Sequence, residues 1–182
     1  QRADSLAPLA GLLDDFGVSL DDVLEGTGLS RADILPGRFI AYDAYLTILQ
    51  RAADRTGRED FGLLLGSRET LATVGPLALA VRSSATLGEA LADFTGFQIS
   101  NSSGAATYLH RRDDMVFLGY GSHDPRLTVS PYVHDIVLAV ASMMLRELTK
   151  GAVRAVEFTS MRWKPADPGP WLRLGARVRF GE

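Results

Sequence analysis

The run "VGPLALAVRSSATLGEALADF", residues 74–94, holds two patterned apolar segments on either side of Arg82-Ser83-Ser84. Adjacent serines in such a position suit a reactive site, a phosphate cradle or a joint between helices. Thr86 followed three residues later by Glu89 is a capping box: the Thr86 hydroxyl accepts the Glu89 N–H and the Glu89 carboxylate returns the bond. Leu87, Ala90, Leu91 and Phe94 then form one apolar helical face. Upstream, Gly75-Pro76 opens a helix whose Leu77, Ala80 and Val81 form another. No base lies nearby in sequence to activate a hydroxyl, so the serines read as a joint between two helices.

Working outward, the first hundred residues predict about six helices. Leu6, Leu9, Leu12, Leu13 and Phe16 repeat at helical spacing up to Gly17. Ser19 caps a short acidic-fronted helix that ends at Gly26 or Gly28, and Ser30 with Asp33 repeats the arrangement. Residues 44–56 form the clearest early helix, with Tyr45, Ile48, Leu49 and Ala52 on one face and Gly57 closing it. Asp60 is expected to cap residues 61–65.

Past Ser102-Ser103-Gly104 the period shortens to two. Residues 105–111 and 115–120 predict a hairpin turning at Asp113-Asp114, with Leu109 opposite Leu118 and Thr107 opposite Tyr120. On its other face Tyr108 and His110 lie near Gly119 and Phe117. After the punctuated stretch containing Pro125, Pro131 opens a long helix over residues 131–149, ended by Gly151. Residues 153–159 and 177–180 predict two more strands around a turn-rich segment. Helices followed by a mainly antiparallel sheet define an α+β fold: a helical bundle on a small sheet, with one long C-terminal helix. One domain over residues 1–182 is the simplest account.

The 182 residues can bury roughly 70% of their unfolded surface, so the core needs no staple. The absence of cysteine removes thiol chemistry and zinc-thiolate sites. A net charge of −3, and −5 over residues 1–35, opposes binding to a phosphate backbone, which excludes the "GLSRADI" region as a DNA reader. The longest apolar run, residues 136–145, is about half of a membrane span. The chain opens Gln1-Arg2-Ala3-Asp4, with neither a signal-peptide pattern nor an initiator Met, and is expected to be a trimmed soluble domain without membrane contact.

Catalytic and metal readings fare poorly. Ser122-His123-Asp124 has the residue types of a hydrolase triad, but consecutive side chains do not line up as one. Gly119-Tyr120-Gly121-Ser122-His123 places His where a nucleophile elbow needs Gly. His110, His123 and His134 lack metal-ligand spacing, and no glycine-rich phosphate loop follows a strand, so no metal and no cofactor is expected. Asp14-Asp15 and Asp21-Asp22-x-x-Glu25 lack calcium-loop alternation.

The opening run resembles the Gly-x-Leu-Gly-x-Ala-x-x-Ser-Ser-x-Thr-Leu-Gly-Glu-Ala-Leu pattern in one branch of AraC-type transcription regulators. There it lies in the N-terminal effector domain, arabinose-binding-like, of a branch that includes ornithine-utilisation and virulence regulators. The resemblance extends through "LLDDFGVSLDDVLEGTGLSRADI" (12–34), "FIAYDAYLTILQRAADRTGREDFGLLLGSR" (39–68) and "PADPGPWLRLGARVRFGE" (165–182). Ala85 stands where the family often has Pro, and Trp171-Leu172-Arg173-Leu174-Gly175 where it has an aromatic-rich run.

The resemblance implies a bacterial, cytoplasmic, non-enzymatic sensor for a small-molecule effector. It would act on DNA only through a helix-turn-helix domain that comes next, and through a homodimer where the regulator forms one. The effector would lie between helices and sheet, with Phe97, Asn101, Tyr108, Tyr120, Tyr132, His134 and Phe158 as the inward-pointing candidates. The alternative is a dimerisation or partner-docking module without a small ligand, marked by an exposed apolar patch.

Overall fold

Proline at position 8 divides the first apolar repeat. In the computed structural model, which describes residues 1–75, 77–122 and 130–181, a 3₁₀ turn at Ala3–Leu6 precedes α1, Leu9–Asp14. A single helix over both would place a proline in its interior, where the ring clashes and a hydrogen bond is lost. Phe16 consequently falls outside α1 and sits on the surface under the Arg58 guanidinium.

The Ser19 hydroxyl accepts the Asp21 N–H at the head of α2, Leu20–Leu24. The Asp33 carboxylate instead accepts both the N–H and the hydroxyl of Ser30, and residues 31–34 close as turns without becoming helical. Gly57, at φ 64°, ends α3, Tyr42–Thr56. α4 spans Phe61–Gly66, but Asp60 does not cap it: both carboxylate oxygens are held by Arg58, at 2.8 and 2.7 Å.

α5, Leu77–Ser83, and α6, Leu87–Phe97, pack against each other. The expected capping box is present at Thr86 and Glu89. The Ser83 and Ser84 hydroxyls both donate to the Ala80 carbonyl, at 2.9 and 3.0 Å, and Ser84 also bonds Asp93 at 2.8 Å. The serines are thus engaged in closing α5 and tying it to α6. The proposed start of α5 at Pro76 lies outside the described residues.

β1, Ala105–Arg112, and β2, Met115–Ser122, form an antiparallel hairpin in the expected register, including Thr107 opposite Tyr120 and Leu109 opposite Leu118. Asp113 takes the left-handed conformation at the turn, φ 55°, which Asp tolerates better than most residues. α7, Pro131–Leu148, follows with Ser130 as its cap.

β3, Glu157–Ser160, starts four residues later than the β-rich composition suggests, because the Val153 N–H is taken by the Thr149 hydroxyl. A short helix, α8, Gly169–Leu172, leads to β4, Arg177–Phe180. β3 and β4 pair in parallel, so the expected mainly antiparallel sheet is two separate two-stranded ribbons, one of each kind. The intervening segment with α8 supplies the crossover that parallel pairing requires.

The fold is α+β, as the order of elements implied. Its largest core joins α1 to α4, Ala105 and the start of α7. A second joins α5, α6 and the C-terminal half of α7, with half-buried Val140 packing against both. A third gathers Leu63, Ala139 and Trp171 beside β4. α4 crosses α7 through Gly62 and Gly66: a methyl at Gly62 would stand 2.3 Å from the Tyr132 carbonyl oxygen. No helix among the described residues is long and apolar enough to cross a membrane.

Candidate functional site

Alternation along the hairpin puts Thr107 and Tyr120 side by side on one face. α3 meets that face with Tyr42 and α7 meets it with His134. The Tyr42 and Tyr120 hydroxyls share a hydrogen bond of 3.0 Å, and the Tyr120 ring stands edge-on to His134 with centroids 5.8 Å apart. One turn along α3 from Tyr42, the Tyr45 ring lies 6.1 Å away, and its hydroxyl accepts from Ser5 at 3.3 Å. Tyr42 presses on Gly104, where a Cβ would fall 2.5 Å from its Cγ; the approach requires glycine.

Burial governs the charge state of this cluster. It pushes the hydroxyls of Tyr42, Tyr45 and Tyr120 up, and pushes the His134 imidazole down. All four side chains are therefore neutral at physiological pH. Two polar atoms in the cluster have no hydrogen-bond partner although they are buried: Thr107 Oγ1 and His134 Nε2. Leaving such a group unsatisfied costs about 1–3 kcal/mol, so two of them next to one tyrosine call for an explanation.

The sequence candidates divide. Tyr120 and His134 are brought together. Asn101 is buried at the lead-in to β1; its side-chain oxygen is unpartnered and its backbone carbonyl accepts the Arg2 N–H at 2.7 Å. Tyr132 is half-buried beneath the Arg162 guanidinium, and Phe158 is buried on β3, opposite Val178.

Phe97 and Tyr108 do not point inward: they are 54% and 58% exposed. Phe97 ends α6, whose inward stripe runs through Ala90 and Leu91, and the chain then tightens into a 3₁₀ turn at Gln98–Ser100. Tyr108 occupies the outer hairpin face, over Gly119, where a methyl would collide with its ring. Sequence reasoning left out Tyr42 and Thr107. Tyr42 carries a signal, since it lies one turn before Tyr45 on the same helix; Thr107 carries none beyond its register with Tyr120.

The catalytic constellations gain no support. The Ser122 hydroxyl donates to the Gly104 carbonyl at 3.1 Å, while His123 and Asp124 lie outside the described residues. His110 sits on the outer hairpin face beside Phe117, apart from His134. Among the described residues no His, Asp and Glu cluster could hold a metal. A shallow depression at the end of α2, open to solvent, is lined by Asp21, Glu25 and Arg31 among others, with Asp21 and Arg31 ion-paired to each other.

The hairpin and the helices thus enclose a neutral, aromatic and partly unsatisfied patch. The sequence profile of the N-terminal arabinose-binding domain of AraC transcription regulators matches residues 17–182. The chain belongs to that family, one of regulatory domains and not of enzymes. No curated protein matches it.

Proposed function

We propose that residues 1–182 form a single effector-sensing unit that binds an uncharged, hydroxyl-bearing small molecule between α3, α7 and the hairpin. The unit reports the ligand to a DNA-binding helix-turn-helix part of the same cytoplasmic regulator. The observation that carries the reading is that two buried polar atoms next to Tyr120 have no partner: Thr107 Oγ1, across the hairpin from it, and His134 Nε2, whose ring it meets edge-on. A ligand hydroxyl or carbonyl that satisfies either atom regains what its burial costs, which gives polar sites their discrimination.

The charge argument selects the ligand class. Tyr42, Tyr120, His134 and Thr107 offer neither a cation for a carboxylate nor an anion for an amine, and burying an unpaired charge is costly. Sugars and polyols meet the requirement, and the family's name points the same way. Asn101 offers a further buried acceptor. Tyr132 on α7, under the Arg162 guanidinium, and Phe158 on β3, opposite Val178, serve as packing. Phe97 and Tyr108, being exposed, belong to the second reading below.

A thermal-shift panel of L-arabinose, other neutral sugars, amino acids, fatty acids and aromatic acids tests this. A neutral sugar at a hundredfold excess over its Kd adds about 2.7 kcal/mol, enough to raise Tm by roughly 5–10 °C. A response confined to charged compounds, or no response at all, overturns the reading.

One observation favours a docking module instead. The outer hairpin face exposes Tyr108, Met115 and Phe117, residues usually covered. Sedimentation that shows a dimer, abolished by Phe117→Ser, together with a silent ligand panel would establish that alternative.

A further inference from the structure

His134 and Asp135 follow one another on α7 and meet different neighbours. His134 contacts Tyr120 of the hairpin, while Asp135 is fully buried between α8 and the loop after β3. The Asp135 Oδ1 accepts the Trp171 Nε1–H at 2.8 Å, and its Oδ2 accepts Arg162 Nη2–H at 2.8 Å. The Arg162 guanidinium lies over the rings of Tyr132 and Trp171, at 5.1 and 5.2 Å, and 3.5 Å from Glu59.

Both partners of Asp135 also hold the end of β4. The Arg162 carbonyl accepts the Gly181 N–H at 2.9 Å, and the Ser160 carbonyl shares that N–H at 3.1 Å. The Trp171 ring meets Phe180 edge-on, with centroids 5.9 Å apart. α7 is itself packed closely against α4. A methyl at Gly62 would lie 2.8 Å from Asp135 Cβ, and one at Gly66 would lie 2.9 Å from the backbone of Ile136. A close-packed helix shifts as a unit, so a movement felt at His134 is felt at Asp135.

We infer that the Asp135–Arg162 pair couples the hairpin site to the end of β4, with α7 as the rigid link. β4 is the last strand within the residues that the family profile matches. The inference rests on the hairpin site being the input. Asp135 and Arg162 are positioning residues, outside the ligand's reach. Coupling of this kind is established only by perturbing one end and reading the other.

The experiment needs no ligand. Tyr120→Leu removes the ring that meets His134, and amide hydrogen exchange is followed at residues 178–181 relative to the amides of Leu13 and Val23 in the helical core. The relative exchange at 178–181 is expected to change by roughly fivefold or more. In an Arg162→Lys background, where the guanidinium fork is lost, that change should shrink to within about twofold.

A change at 178–181 no larger than that of the core amides would be global destabilisation, and would overturn the coupling. So would an undiminished change in the Arg162→Lys background. If Arg162→Lys does not fold, Trp171→Phe, which deletes the other donor to Asp135, takes its place with the same two outcomes. Because no ligand enters, a silent sugar panel and an uncoupled β4 are separate results.

Discussion

Two buried polar clusters sit back to back on α7, and they are built on opposite principles. Around Asp135 every carboxylate oxygen has a donor, and the cation opposite lies over two aromatic rings, though its own Nε has no partner. Around His134 nothing is charged, one hydroxyl pair is satisfied, and two polar atoms are left without partners. A cluster whose buried charges are paired resists rearrangement, because breaking the pair strands a charge. An unsaturated neutral cluster has a vacancy in its hydrogen bonding that another molecule can fill. The first fixes geometry and the second is receptive.

The largest expected effect breaks the charged side. Arg162→Met leaves the Asp135 carboxylate buried with only Trp171 as donor, and should destabilise by about 3–5 kcal/mol in urea unfolding. Burial already pushes the Asp135 carboxyl up to about 6, with Arg162 and Trp171 holding it down. Adding Asp135→Leu to Arg162→Met should recover much of the loss, since the charge and its cost leave together. A double variant no more stable than the single one would show that shape, not charge pairing, holds the cluster.

A smaller effect distinguishes the clusters by pH. His134 titrates below its ordinary range in the folded chain because burial opposes the imidazolium. The unfolded chain therefore binds that proton first, and the stability from neutral His134 is present above about pH 6.5 and lost as pH falls. Asp135 and Glu69 act in the opposite sense. Burial raises them, Glu69 to about 7, so their contribution favours folding at acid pH and is lost as pH rises through those values. The comparison that isolates His134 is wild type against His134→Gln. The variant should gain on the wild type between pH 7 and 5, by at most about 1.4 kcal/mol per pH unit. A constant difference across that range would mean that His134 is not held neutral.

Legibility in the sequence followed the range of the interaction. The capping box at Thr86 and Glu89 involves neighbours only, and the hairpin register follows from a two-residue turn, so both were readable. The alternation also paired Thr107 with Tyr120, yet it could not say which hairpin face packs inward. Tyr108 was therefore expected inside when it lies over Gly119 on the outer side. Phe97 continued a helical stripe arithmetically but stands where the helix ends. Asp135 and Arg162 are 27 residues apart and meet only because β3 returns along α7. No local pattern marks such a pair. Pro8 is a local signal too, and it accounts for the broken first helix.

The smallest stability effect is the most informative about the receptive side. Thr107→Val replaces an unpartnered buried hydroxyl with a methyl of the same shape. An orphaned hydroxyl contributes no hydrogen bond to lose, so the variant should match the wild type in urea to within about 0.5 kcal/mol, or exceed it. If the hydroxyl were serving the fold through a buried water, its removal would strand that water's other partner and cost about 1–3 kcal/mol. Unchanged stability with a lost thermal-shift response to the neutral sugar would assign the Thr107 hydroxyl to the ligand. Unchanged stability with the response intact would move the contact to His134, which His134→Phe then examines. The hydroxyl is the cleanest probe because it separates binding from folding: everything else in the cluster, from the Tyr42–Tyr120 bond to the ring over His134, contributes to both.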